Sequence, residues 1–192
     1  YDMKRKRPNK PQRTVLSYFA GAIALSTLGA CVPATTGGME GIDFRQARFQ
    51  EISSMRDYRG CVDDALKVAE QAKASGQAGG YRTSAKIFER CEAEIGPEAT
   101  QLAREERMRN YALGIVNYIK AGDIRQAQTN LEKFQKAFSG NDLYLPNGAS
   151  FIDSVTLLTT KRDDASAPEM AMMNVSSALR AEIQRMRFWK NN

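Results

Sequence analysis

The sequence predicts an all-α protein built of antiparallel helix pairs. Three observations carry that expectation. After residue 43, apolar residues recur at spacings of three and four, the period of one helix face. Breaks at Gly76–Gly80, Gly96-Pro97 and Gly122-Asp123 separate these stretches, and glycine and proline end helices at such places. The composition is rich in Ala, Gln, Glu and Arg, which favour helix over strand.

The first helix is expected from Phe44 to about Ser75, with Phe49, Ile52, Met55, Val62, Leu66, Ala69 and Ala72 on one face. Gly60 is a point where it could weaken or split. A turn at Gly76–Gly80 leads to a second helix, roughly Arg82 to Ile95, burying Ala85, Phe88, Cys91 and Ile95. The third is expected from about Pro97, or shortly after it, to Ala121, with Leu102, Met108, Tyr111, Ile115, Tyr118 and Ile119 inward. The fourth runs from Ile124 to Phe138 on Ala127, Leu131, Phe134 and Phe138, leaving Gln128 and Lys133 on its exposed side. A short helix covers Ala149 to Leu158, and Lys161 to Ala167 is a polar connector. The last helix starts near Pro168, a good first-turn residue, and ends near Trp189. Its stripe of Met172, Val175, Leu179, Ile183 and Met186 calls for a partner surface, either as a cap on the preceding pairs or on another subunit.

The N-terminus has a different character. Lys4, Arg5, Lys6, Arg7, Lys10 and Arg13 precede an apolar run from about Val15 to Leu28. As a helix that run is about 21 Å long, short of the roughly 30 Å hydrocarbon core. A secretory signal fits better than a permanent span. Leu28-Gly29-Ala30-Cys31 closes it. This arrangement resembles a bacterial lipoprotein signal, which implies that Cys31 is lipidated and becomes the first mature residue. The alternatives are an ordinary cleaved signal or an uncleaved anchor. Tyr1 and Asp2 precede Met3, the expected initiator. The resemblance implies a signal peptide over 1–30, a flexible tether over 31–43 and a helical periplasmic domain over 44–192. In such lipoproteins Asp after the cysteine is the usual inner-membrane signal. Val32 stands there, so the implied location is the periplasmic face of a Gram-negative outer membrane.

Net charge is +6, from 28 Lys and Arg against 22 Asp and Glu. Six of those basic residues and one acid lie in residues 1–30, leaving +1 for the remainder. The basic pI therefore mostly reports the export signal and is poor evidence for nucleic-acid binding, which wants a basic patch on the folded domain; no nucleic-acid partner is expected. There is no histidine, so Ser-His-Asp and Cys-His catalysis and His-bearing zinc sites are excluded. No Ser-x-x-Lys or phosphate-loop motif is present. Asp63-Asp64 and Glu92/Glu94 are acids one or two apart, which do not face the same way on a helix; they read as solvated faces. Met170, Met172 and Met173 read as packing rather than a soft metal site. Arg180, Arg185, Arg187 and Lys190, near Phe188 and Trp189, read as a cationic helix end favourable with the macrodipole. No cofactor, metal or small-molecule substrate is indicated.

Within the helical region, Tyr111, Tyr118, Gly122-Asp123-Ile124, Ala127 and Leu131 resemble a tetratricopeptide repeat. In that family aromatics at this spacing fill the first helix, glycine makes the turn, and a small residue in the second helix permits close approach. Ala72, Gly79, Tyr81, Ser84, Phe88 and Cys91 form a weaker copy. Gly114-Ile115, Ser139 and the 43-residue interval from Ser84 to Ala127 depart from the family pattern. The residues therefore fit either a degenerate repeat or a plain helical bundle with glycine turns.

With Cys31 lipidated, Cys61 and Cys91 remain, an even count for an oxidising compartment. They lie about four residues out of register across the Gly76–Gly80 hairpin, roughly 6 Å along the axis. The turn can absorb that offset, so a Cys61–Cys91 bridge is expected; two separately buried thiols are the alternative. A redox role is not indicated, since no Cys-x-x-Cys is present. The function expected is non-enzymatic: an assembly, pilotin-like or scaffold lipoprotein binding protein partners in an envelope machine. A cell-wall-associated regulator of peptidoglycan synthesis is the alternative.

Overall fold

A single unbroken helix of 39 residues, α1 (Gly37–Ser75), opens the described part of the chain. The computed structural model describes residues 37–192, with side chains from residue 42. The expected signal segment 1–30, Cys31 and residues 32–36 of the expected tether lie outside the described residues. Residues 37–43, expected as tether, are already helical, and Gly60 does not split α1. Helix propagation adds a hydrogen bond for each residue fixed, and at Gly60 an exposed position costs only about 1 kcal/mol.

A left-handed glycine ends α1. Gly76 has φ +67°, and the Gln77 amide returns to the Ala72 carbonyl at 3.2 Å. This is the C-terminal cap for which glycine is favoured. The turn is shorter than the sequence implies, because α2 (Ala78–Ala93) takes in Gly79 and Gly80. Gly80 serves packing: a Cβ there would lie 2.7 Å from Ala72 Cβ. The two helices cross closely at that point.

The core face of α1 differs in part from the expected stripe. Met55, Tyr58, Val62 and Ala65 pack with Phe88, Cys91 and Ala99, whereas Phe49, Ile52 and Leu66 are exposed. The reason is length. At 1.5 Å per residue α1 spans about 58 Å and the 16-residue α2 about 24 Å, so the N-terminal part of α1 runs beyond the end of α2. Leu66 loses its place to Ala65, whose small side chain lets α2 approach.

The expected long third helix is broken. Pro97–Ala99 is a 3₁₀ turn, and α3 (Arg104–Lys120) begins only after Ala103, which has φ 44°. The Arg107 guanidinium binds the carbonyls of Ala99 and Thr100. The Ala99 carbonyl also accepts the Leu102 N–H at 3.0 Å, a 3₁₀-type bond, while the Thr100 carbonyl is turned to the guanidinium. Gly114 lies where the repeat pattern has a large residue, and α2 explains it: a Cβ would fall 2.8 Å from Phe88 Cβ.

Gly122 (φ +73°) ends α3. Gly122 N–H bonds Ile119 O and Asp123 N–H bonds Tyr118 O, both at 2.9 Å. Asp123 then caps α4 (Ile124–Ala137), accepting from Gln126 N–H at 3.4 Å. Tyr111, Ile115, Tyr118, Ala127, Leu131, Phe134, Phe138 and Phe151 form one cluster. Its rings meet at 5.1 Å (Phe134–Phe138) and 5.5 Å (Phe134–Phe151).

After a loop comes α5 (Phe151–Thr159), capped by Ser150. The expected last helix is two: α6 (Ala167–Met172) and α7 (Ser177–Asn191). The break comes from competing bonds. The Asn174 N–H goes to Asp153 at 2.7 Å, the Asn174 carbonyl accepts from Ser150 N–H at 2.7 Å, and Ser176 starts a fresh cap. Val175 and Ile183 are buried with Leu157, Ala165 and Met170, so the C-terminal segment does cover the α5 end. Met172 and Met186, expected on the buried stripe, are exposed.

Up to α5 each helix packs chiefly on the next in sequence: α1 on α2, α2 on α3, α3 on α4, α4 on α5. The architecture is all-α.

Candidate binding surface

Two polar networks hold this succession of helices together. One begins at Tyr111 and Tyr118, which the sequence reading treated as aromatic filling. Their hydroxyls do more. Tyr118 donates to Glu89 at 2.9 Å, and Tyr111 donates to Asn130 Oδ1 at 2.8 Å. Asn130 Nδ2 donates to Glu89 at 3.4 Å and to the Gln126 carbonyl at 3.0 Å. Lys133 pairs with the other Glu89 oxygen. One carboxylate on α2 thus gathers donors from α3 and α4.

Burial pushes the Glu89 carboxyl up, but the hydrogen bonds from Lys133, Tyr118 and Asn130 more than offset this and hold it below its usual range. Burial, reinforced by the Glu89 charge, raises Tyr118. For Glu89 the linkage sign is that of a depressed acid. Its contribution is full above the ordinary value of 4.5 and is lost as pH falls below it. Glu89→Gln should therefore flatten the fall of melting temperature as pH drops below 4.5. An unchanged slope would show that the network does not act through this proton.

The second network is an ion pair on the α2–α3 side. Arg107 and Glu92 have side chains only 5% and 11% exposed. Arg107 Nε donates to Glu92 at 3.1 Å, and a second guanidinium nitrogen bonds the other oxygen. The guanidinium also lies 5.6 Å from the Phe138 ring centroid. Glu92 is therefore not part of a solvated acidic face, as the sequence reading had it; Asp63, Asp64 and Glu94 are exposed as expected. The available signal was Arg107 itself, which falls on the buried stripe four residues before Tyr111. Ser84 completes the tie: its hydroxyl donates to Ala65 O at 2.7 Å and accepts from Asn117 Nδ2 at 3.1 Å. Nothing in the spacing announced that relay.

Cys61 and Cys91 are joined, with Cα atoms 5.7 Å apart. The bridge fastens α1 to α2 and floors a groove of about 180 Å³ lined by Ser54, Asp57, Tyr58, Glu94 and Ile95. Ala127 and Ser84 are both fully buried. Ala127 sits in the cluster that α3 and α4 share, one turn into α4 from Gly122. Ala127→Leu should overpack there, costing about 1–3 kcal/mol; a calorimetric melting temperature equal to wild type would contradict it. Gln128 and Lys133 are less free than expected. Gln128 Nε2 binds the Thr159 carbonyl at 2.6 Å, and Lys133 is the outer arm of the Glu89 network.

The C-terminal basic cluster is also partly internal. Arg187 bonds the carbonyls of Arg162 at 2.7 Å and Lys161 at 2.8 Å, and that of Ala165. It holds the connector against α7.

Other features face outward. A groove of about 460 Å³ between α3 and the loop after α4 is lined by Arg104, Met108, Arg109, Asn141, Leu143 and Tyr144. Tyr144 in that lining and Leu113 on α3 are both exposed. Among the described residues no acid or thiol cluster could hold a metal ion, and no helix is long and apolar enough to cross a membrane. No family model matches this sequence, and no curated protein or solved structure matches it.

Proposed function

We propose that the protein is a non-enzymatic lipoprotein, tethered through Cys31 to the periplasmic face of the outer membrane, that serves as an assembly, pilotin-like or scaffold subunit of an envelope machine. Secretion systems, pili and outer-membrane biogenesis complexes are the machines this reading covers. The observation that carries it is the packing of α1 to α5 in order of sequence. We read helices stacked in this way as a degenerate tetratricopeptide-like array, a class whose extended faces suit protein ligands. The Cys61–Cys91 bridge fits an oxidising compartment, and Leu28-Gly29-Ala30-Cys31 supports export and lipidation.

The test is extraction in mild detergent, followed by native separation and mass spectrometry of what comigrates. A large outer-membrane complex that loses this subunit on Leu113→Asp or Tyr144→Ala supports the reading. Recovery with the sacculus instead, insensitive to those changes, would transfer it to the cell-wall class. Cys31→Ser should leave an unprocessed or soluble species. Wild-type protein without acyl chains on Cys31 would end the lipoprotein part.

A further inference from the structure

The N-terminal half of α1 extends beyond α2 and carries an exposed apolar face, bordered at Ile52 by a shallow groove that Leu102 and Ala103 also line. Ile42, Phe49 and Ile52 are 61%, 66% and 55% exposed. At about 100° per residue they fall within an arc of about 80° on the helix circumference. Arg45 and Arg56 lie inside the same arc and are exposed. The acids of this segment lie elsewhere: Asp43, Glu51 and Asp57 are each about 100° or more from the centre of that arc. Glu51 is moreover paired with Arg48 at 2.7 Å. Phe44, also exposed, points to a different side and is not part of this face.

A helix face of large apolar residues interleaved with arginine, with its acids turned away, has the chemistry of a segment lying in a bilayer interface. Its arginines meet anionic headgroups, and its apolar side chains reach the acyl boundary. Position along the chain points to the same occupant. Ile42 follows Cys31 by 11 residues, a stretch that reaches at most about 40 Å even fully extended. An acylated Cys31 therefore keeps this face within reach of the membrane surface. We propose that residues 42–56 of α1 dock flat on an anionic bilayer through Ile42, Phe49, Ile52, Arg45 and Arg56, so that the lipoprotein holds its helical array in a fixed orientation. The proposal rests on the lipidation reading and adds a second membrane contact to it.

The experiment uses the full-length protein purified from the producing cell, with Cys31 acylation established separately by mass spectrometry. Trp189 is the single tryptophan, so Trp189→Phe supplies a silent background. Phe49→Trp then reports the proposed face and Gln50→Trp a neighbouring, outward one. Both are read in vesicles of phosphatidylethanolamine and phosphatidylglycerol with brominated acyl chains. The expected result is a blue shift and loss of most emission for Phe49→Trp, little change for Gln50→Trp, and reversal by Arg45→Glu with Arg56→Glu. Equal quenching at both positions, or none at Phe49→Trp while Cys31 is acylated, overturns the docked helix and leaves the anchor reading intact. A blue shift without quenching, accompanied by dimers in light scattering, also overturns it and makes the face an interface between copies. If Cys31 carries no acyl chain, the anchor reading fails by itself. The same quenching measurement on vesicles then still decides the face: quenching at Phe49→Trp alone sustains it, and its absence rejects it.

Discussion

Glu92→Ala should cost about 3–5 kcal/mol, the penalty for leaving a buried charge without its partner. Arg107 is held where water cannot replace the lost carboxylate; its side chain is 5% exposed. Its remaining bonds go to the carbonyls of Ala99 and Thr100, which are neutral. In a domain of this size the loss corresponds to a fall in melting temperature of about 6–20 °C. Removing both charges is a different perturbation. Glu92→Leu with Arg107→Met replaces the pair by apolar volume, and such exchanges are often neutral or stabilising. The single change should therefore be the more damaging of the two, and a thermal melt of both variants decides it. A single variant within about 1 kcal/mol of wild type would mean that the pair behaves like an exposed one.

The second large effect is expected at the disulfide. Cys61 and Cys91 are 30 residues apart in sequence, and in the chain-entropy treatment a loop of that size is worth about 3.5 kcal/mol. Cys61→Ser, Cys91→Ser and the double variant should lose similar amounts, because any one of them opens the same loop. Marked additivity would instead point to two independent packing sites. Peptide mapping without reductant should recover the joined pair from protein taken directly from an oxidising compartment. Free thiols at both positions there would refute the bridge.

The helices were legible because their signals are local. Gly76 and Gly122 mark left-handed caps, the Phe134 and Phe138 stripe keeps the helical period, and Ala127 announces a close crossing. The bridge was legible because two cysteines in one hairpin can be placed by counting residues. What escaped depends on partners distant in sequence. The Pro97 helix breaks at the left-handed Ala103, where Arg107 reaches back to the Thr100 carbonyl, and the 168–189 helix fails because Asp153 and Ser150 compete for Asn174. Phe49 and Ile52 belong to a perfectly good helical face, but periodicity cannot say whether a neighbouring helix extends far enough to cover it. The Glu89 network was invisible for a related reason. Tyr111 and Tyr118 spend their rings on one environment and their hydroxyls on another, and apolar spacing records only the rings.

The bridge between α1 and α2 also has a mechanical meaning. A pull on the N-terminal end of α1 runs along a continuous helix of 39 residues and meets a covalent crossing at Cys61. Beyond that point the load crosses the bridge to Cys91 and passes to the chain that follows α2. The segment after Cys61 is enclosed by the covalent loop and is shielded from extension, while the turns before it stretch first. In single-molecule pulling the oxidised protein should yield a contour about 30 residues shorter than the reduced one, with the hairpin passing the force on to the helices behind it.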